Sequence, residues 1–261
     1  MSHSEPPHTN SESPVAIVTG AGRRLGNALA HALATQGYRL VLHANASRAQ
    51  AELTARQLTS AGTESITLVA DLRDEAATRT MIAAAREHFG RIDALVNNAA
   101  IWGGKPLEQV TAADVREHFE INTLGTFICC QEVGLIMVAQ SQGGAIVNIG
   151  DWAIVRPYLD HLAYFAAKGS IPTLTRAFAV ELGSRNPRVR VNAVLPGPVL
   201  LPDTMSDAER REVINATLVK REGSPHDVAQ AVVFLLQSTF ITGECLNVDG
   251  GRSIYAGAEA N

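Results

Sequence analysis

Short apolar runs that alternate with helix-length segments limit what this 261-residue chain can become. Val15-Ala16-Ile17-Val18 leads into Thr19-Gly20-Ala21-Gly22-Arg23-Arg24-Leu25-Gly26, and an Ala- and Leu-rich segment follows over 27–36. That order reads as strand, glycine turn and helix. Further strands are expected over 39–43, 65–70, 94–96, 145–149, 190–194 and 246–248. Helices are expected over 50–60, 75–89, 111–139, 164–184, 207–220 and 225–237. Strands that are apolar throughout are covered on both faces, as in a parallel sheet. The expected fold is therefore α/β, a doubly wound, seven-stranded parallel sheet flanked by helices in a single domain over 14–261. Ligands of such sheets gather beyond the carboxyl ends of the strands, where the glycine turn, Asp71, Asn97-Asn98-Ala99-Ala100, Asp151 and Pro196 all fall.

The formal charge of −4 gives no general attraction to nucleic acid or to an anionic membrane surface. No apolar run approaches the roughly 20 residues of a membrane span. Residues 1–13 are polar, lack the apolar stretch of a signal peptide and read as a disordered tail. Cys129, Cys130 and Cys245 are an odd set without metal-ligand spacing, so no metal site is expected. Adjacent cysteines in an apolar helix read as buried thiols, which suits a reducing cytoplasm.

A glycine turn leading from a strand into a helix aims backbone N–H groups and the positive helix end at a pyrophosphate. Gly20 and Gly26 bracket this turn, while Arg24 occupies the usual place of a middle glycine. A tight turn with no ligand is the alternative. At the end of the second strand an Asp or Glu would bond the adenosine ribose and repel a 2′-phosphate. Here the stretch is His43-Ala44-Asn45-Ala46-Ser47-Arg48, with Arg23 nearby in the turn. Neutral donors and forked guanidinium groups favour NADP(H) over NAD(H), with His43, Asn45 and Ser47 as candidate contacts.

Tyr164-Phe165-Ala166-Ala167-Lys168 sets a phenol and an ammonium one helical turn apart, on one face. A cation held close lowers a phenol's pKa from about 10, and two or three pH units of lowering corresponds to about 3–4 kcal/mol. An ordinary amphipathic helix would carry the same pair.

With the turn, Asp71, Asn97-Asn98-Ala99-Ala100, Asn122, and Tyr164 with Lys168 in this order, the chain resembles the short-chain dehydrogenase/reductase family from Val15 to Gly251. The resemblance implies a Rossmann-type fold and gives Tyr164 the role of general acid. Lys168 would bind the nicotinamide ribose and lower the tyrosine pKa, and Asn122 would support a water relay. Around the cofactor, Gly20, Arg23, Arg24, Leu25 and Gly26 would form the phosphate turn, Asp71 with Leu72 would meet the adenine, and Asn97 with Ala99 the adenosine ribose. Pro196 and Gly197 would border the nicotinamide.

One departure stands out. Thirteen residues before the tyrosine, where the family has a serine, this chain has Asp151. A carboxylate would repel a developing alkoxide, whereas it suits a ring nitrogen that must be protonated. Asp151 with Arg24 is similar to the combination in pteridine reductases, a branch of the family, and Trp102 stands where that branch has an aromatic stacked on the pterin. Asp151, Tyr164, Arg24 and Trp102 would then hold a pterin-like heterocycle, and NADPH would give hydride to its C=N bond. The alternatives are reduction of a carbonyl in an oxoacyl thioester, sugar or steroid, and a non-catalytic NADP(H)-binding regulator. A substrate lid is expected over 196–224, with Arg156, Tyr158 and His161 as rim candidates. The helices over 111–139 and 164–184 are apolar beyond one face, and by resemblance they pair with another subunit in a homodimer or homotetramer.

Overall fold

The computed structural model describes residues 13–255, so the tail expected over 1–13 lies outside the described residues except for Ser13. Strands β1 (Val15–Val18), β2 (Arg39–Ala44), β3 (Ser65–Val69), β4 (Ala94–Asn97), β5 (Gly144–Ile149), β6 (Val189–Pro196) and β7 (Cys245–Val248) form one sheet in the order β3-β2-β1-β4-β5-β6-β7. All neighbours are parallel. The order reverses between β1 and β4, and there the carboxyl ends of the strands open a crevice.

Period-two alternation sorts the strand residues between two layers. Val15, Ile17, Val41, Leu95, Ile146 and Val191 face one cluster with α3 (Glu75–Phe89), α5 (Thr126–Ala139) and α7 (Ile171–Gly183). Ala16, Val18, Leu40, Leu42, Val96 and Val147 face the other, with α1 (Arg24–Thr35), α2 (Arg48–Ser60) and α9 (Pro225–Gln237). Each buried Val, Leu or Ile contributes roughly 1.5–3 kcal/mol, so two covered faces make the sheet the rigid part of the molecule.

Three expected helices are divided or cut short. The one expected over 111–139 is α4 (Ala112–His118), a π-helical segment Phe119–Gly125, and α5. Taken together, Ala112–Ala139 is long and apolar enough to cross a membrane, contrary to the sequence expectation, with a mean hydropathy of 1.5 and half of the apolar window buried inside the protein. Its second half packs on the sheet side by side with α3 and α7, and its far side is left to solvent at Leu135. The helix expected over 164–184 is two pieces, α6 (Leu162–Lys168) and α7, broken at Gly169-Ser170. That expected over 207–220 ends early, as α8 (Asp207–Asn215), and is capped by a reciprocal Ser206–Glu209 pair.

Arg190 is a charge inside this fold, and its guanidinium donates to the carbonyl oxygens of Leu235 at 2.7 Å and Leu236 at 2.6 Å. It thus caps the last turn of α9, where the helix dipole favours a cation. Replacing Arg190 by Met should cost about 2–4 kcal/mol, since buried carbonyls lose charged donors. Urea unfolding of the two proteins measures it, and a change below 1 kcal/mol would remove the cap from the account.

Candidate active site

The glycine turn folds back on itself so tightly that a Cβ at Gly26 would sit 2.1 Å from the Gly20 oxygen. Gly20 is left-handed at φ 66°, and Arg24, which opens α1, adopts φ 51°. The turn is anchored to the end of β4. Thr19 Oγ1 accepts from the backbone N–H groups of Asn98 and Ala99, and Asn98 Nδ2 donates to the carbonyls of Thr19 and Gly20 at 2.9 and 3.2 Å. The result is a cleft of about 400 Å³. Of the expected contacts, Gly20, Arg23, Arg24, Leu25, Gly26, His43, Asn45, Ser47, Asp71, Leu72 and Ala99 line it.

Asn97 does not. Its side chain is buried and donates to Asn148 Oδ1 at 2.9 Å, on the α5 side of the sheet. Strand alternation turns the next residue to the crevice, so Asn98, which the sequence reading passed over, lines the cleft instead. His43 lines the cleft with both ring nitrogens engaged. Nδ1 accepts from the Gly20 N–H at 3.3 Å, and Nε2 lies 3.0 Å from the Ala70 oxygen. Burial holds this imidazole below its ordinary pKa, as a neutral brace for the turn. Asp71 is paired with Arg73 through a forked contact reaching 2.6 Å, which lowers its pKa.

The reactive groups come from two elements. Two residues beyond the end of β5, Asp151 Oδ2 accepts from the Tyr164 hydroxyl at 2.7 Å, and Asp151 Oδ1 also caps the turn at Ala153 N. Lys168, one turn after Tyr164, donates from Nζ to the Ile149 carbonyl at 2.7 Å. Asn122, in the π-helical segment, is fully buried and clasps Ile101, accepting its N–H at 2.9 Å and donating to its carbonyl at 3.0 Å.

Burial dominates the electrostatics. It raises the Asp151 pKa, and it pushes the Tyr164 phenol well above its ordinary value, reinforced by the charge of Asp151. The expected lowering of the Tyr164 pKa by Lys168 is therefore absent from this site, where the phenol bonds to the carboxyl. Lys168 itself is lowered from 10.5 to about 8 by burial.

Above these groups lies a cavity of about 660 Å³. Trp102, 57% exposed, forms one wall with His161 at a ring separation of 4.7 Å and Tyr158 behind it. Pro196, Gly197 and the segment from Pro198 to Pro202 roof the cavity, with Met205 and Val213 beyond. Arg24 lines both this cavity and the cleft. Its Nη2 donates to the Leu200 carbonyl at 2.6 Å, so the turn holds the lid directly. Trp152 and Arg252 also line the cavity, and no spacing or motif in the sequence marked either.

The buried ammonium has a testable cost. Its pKa is depressed on folding, so stability is greatest above 10.5 and is lost as pH falls to about 8, by on the order of 3 kcal/mol. Replacing Lys168 by Met should therefore stabilise the ligand-free protein by that order at pH 7.5 and by almost nothing near pH 10.5. Urea midpoints of both proteins at the two pH values measure this, and an equal difference at both would refute the buried charge.

A profile of the family described as enoyl-(acyl carrier protein) reductase matches residues 20–253. A ketoacyl reductase of the granaticin polyketide synthase from Streptomyces violaceoruber, by its name, is 36% identical over 93% of this chain and 97% of its own. The 3-oxoacyl-[acyl-carrier-protein] reductase of Synechocystis is 32% identical over 92% and 97%. A crystal structure of a Sinorhizobium meliloti protein described as a short-chain alcohol dehydrogenase superposes with a TM-score of 0.86 at 31% identity, covering 93% of this chain and 97% of that one. The chain belongs to the short-chain dehydrogenase/reductase family, oxidoreductases that use a nicotinamide cofactor on small-molecule substrates.

Proposed function

We propose that the protein is an NADPH-dependent reductase of a ketone. The observation that carries this is the 2.7 Å contact between Tyr164 and a half-buried carboxyl at the floor of a cavity that adjoins the glycine cleft. The relatives described above are named for carbonyl reduction, which favours a ketone over the C=N bond of a pterin.

The cleft suits a dinucleotide by its shape, because the Gly26 position has no room for a Cβ and the turn presents backbone N–H groups. Arg23 and Arg24 would meet phosphate, and the neutral Asn45 and Ser47 leave room for a 2′-phosphate that an acidic residue would repel. Lys168 spends one donor on Ile149 and keeps two for ribose hydroxyls. The chemistry NADPH would supply there is hydride transfer to the carbonyl carbon. Tyr164 would give its proton to the carbonyl oxygen, and Asp151, whose protonated form burial favours, would replace that proton and regain its own from solvent. A neutral carboxyl does not repel the developing alkoxide, which removes the objection that Asp151 raised against ketone reduction. Asn122 holds the Ile101 segment beside the cavity.

Assembly into a dimer or tetramer is part of the proposal. It is supported by exposed Leu124, Leu135 and Val180 on the outer helical layer, and light scattering tests it.

Asp151 must be protonated for reduction, so turnover should hold at low pH and fall as pH rises through its raised pKa. Asp151→Ser should keep ketone turnover within about tenfold and move that fall to higher pH, because a hydroxyl does not titrate there. If Asp151 instead protonates a ring nitrogen, the same variant loses all NADPH oxidation with dihydrobiopterin and no ketone is turned over by the wild type. Tyr164→Phe should cut turnover by about 10²–10⁴ with NADPH binding retained, and unchanged turnover would exclude Tyr164 from the chemistry.

A further inference from the structure

Arg252 lines the cavity that holds Tyr164 and Asp151, and ketone reduction as described makes no use of it. Its Cζ lies 5.4 Å from the centroid of the Trp152 ring, and Trp152 packs with Tyr164 in one buried cluster. Nη1 is buried without a hydrogen-bond partner among the described residues. A buried donor left unpaired costs roughly 1–3 kcal/mol, and more when charged, so the site gains when an acceptor arrives.

Arg156 adds charge of the same sign, against which the Glu212 carboxylate acts more weakly. Arg156 Nη1 donates to the Tyr255 carbonyl at 2.7 Å and the Arg252 carbonyl at 3.4 Å. Neither arginine has a carboxylate within 4 Å among the described residues. The loop that carries Arg252 is fixed, because the Asp249 carboxylate accepts from Gly251 N at 2.9 Å and Ser253 N at 2.7 Å. A forked donor on a rigid loop, laid over an indole face, is organised in advance for a planar oxyanion.

We propose that Arg252 determines specificity by receiving a carboxylate at the far end of the substrate, so that the substrate is an oxo acid whose carbonyl lies against Tyr164. This rests on the ketone reading. Trp152 sets the plane of the guanidinium, and Arg156 strengthens the positive end of the cavity.

The test follows NADPH oxidation by the wild type and by Arg252→Met, with (ω−1)-oxo carboxylates from 4-oxopentanoate to 7-oxooctanoate and with their methyl esters. The same ligands are titrated calorimetrically into Tyr164→Phe protein, with and without Arg252→Met, in the presence of NADPH. For at least one chain length, kcat/KM of the wild type for the acid should exceed that for the ester by about tenfold, worth ~1.4 kcal/mol. Arg252→Met should lower the value for the acid about 10- to 100-fold through KM, and for the ester less than about threefold; Arg252→Lys should recover part of the loss. Equal values for acid and ester at every length, or equal losses for both in the variant, would overturn the proposal. Acids that bind in the calorimeter through Arg252 but are never reduced would sink the ketone reading alone. Binding of acids that does not depend on Arg252 would sink this one.

Discussion

Two hydrogen bonds tie the end of β5 to helix α6, and the chemistry of the site depends on their being in register. Ile149 and Asp151 are two apart on extended chain, and Tyr164 and Lys168 are four apart on a helix. Both spacings put their members on one side, so the ammonium meets the strand's last carbonyl while the phenol meets the carboxyl. Either bond fixes the position of the other. The sheet supplies the rigidity this needs, since β5 is paired on both edges and buried on both faces.

Much of this was legible in the chain. Continuous apolar runs between helix-length segments are the direct signature of a covered parallel sheet, and all seven strands stand where those runs do. The positions of Tyr164, Lys168 and Asp151 at the carboxyl ends follow from the same pattern. What stayed hidden depends on which way a side chain turns. Asn97 and Asn98 are indistinguishable as letters, and only the pleat of β4 sends one to the core and the other to the crevice. His43 reads as a loop donor until its imidazole is seen braced between Gly20 and Ala70.

Electrostatics were the other hidden part. A tyrosine one turn from a lysine suggests an acidified phenol, yet the ammonium bonds to backbone and the carboxyl takes the phenol. Desolvation then pulls both acids toward their protonated forms. Sequence spacing reports which groups can be neighbours, whereas the sign of a pKa shift depends on how dry the neighbourhood is. Arg252 escaped for a similar reason, because its placement over Trp152 joins residues 100 apart in the chain.

The π-helical segment Phe119–Gly125 separates α4 from α5 within one continuous helical rod. A wide turn shifts the angular phase of everything after it relative to everything before. Asn122 is thereby aimed at Ile101 while Cys129, Val133 and Met137 stay locked in the core beneath. The rod thus works like a shaft with a keyed joint. Drift in the outer half need not rotate the inner half out of its groove, and a one-residue deletion at the joint would misalign the clasp on Ile101 even if it produced a more regular helix.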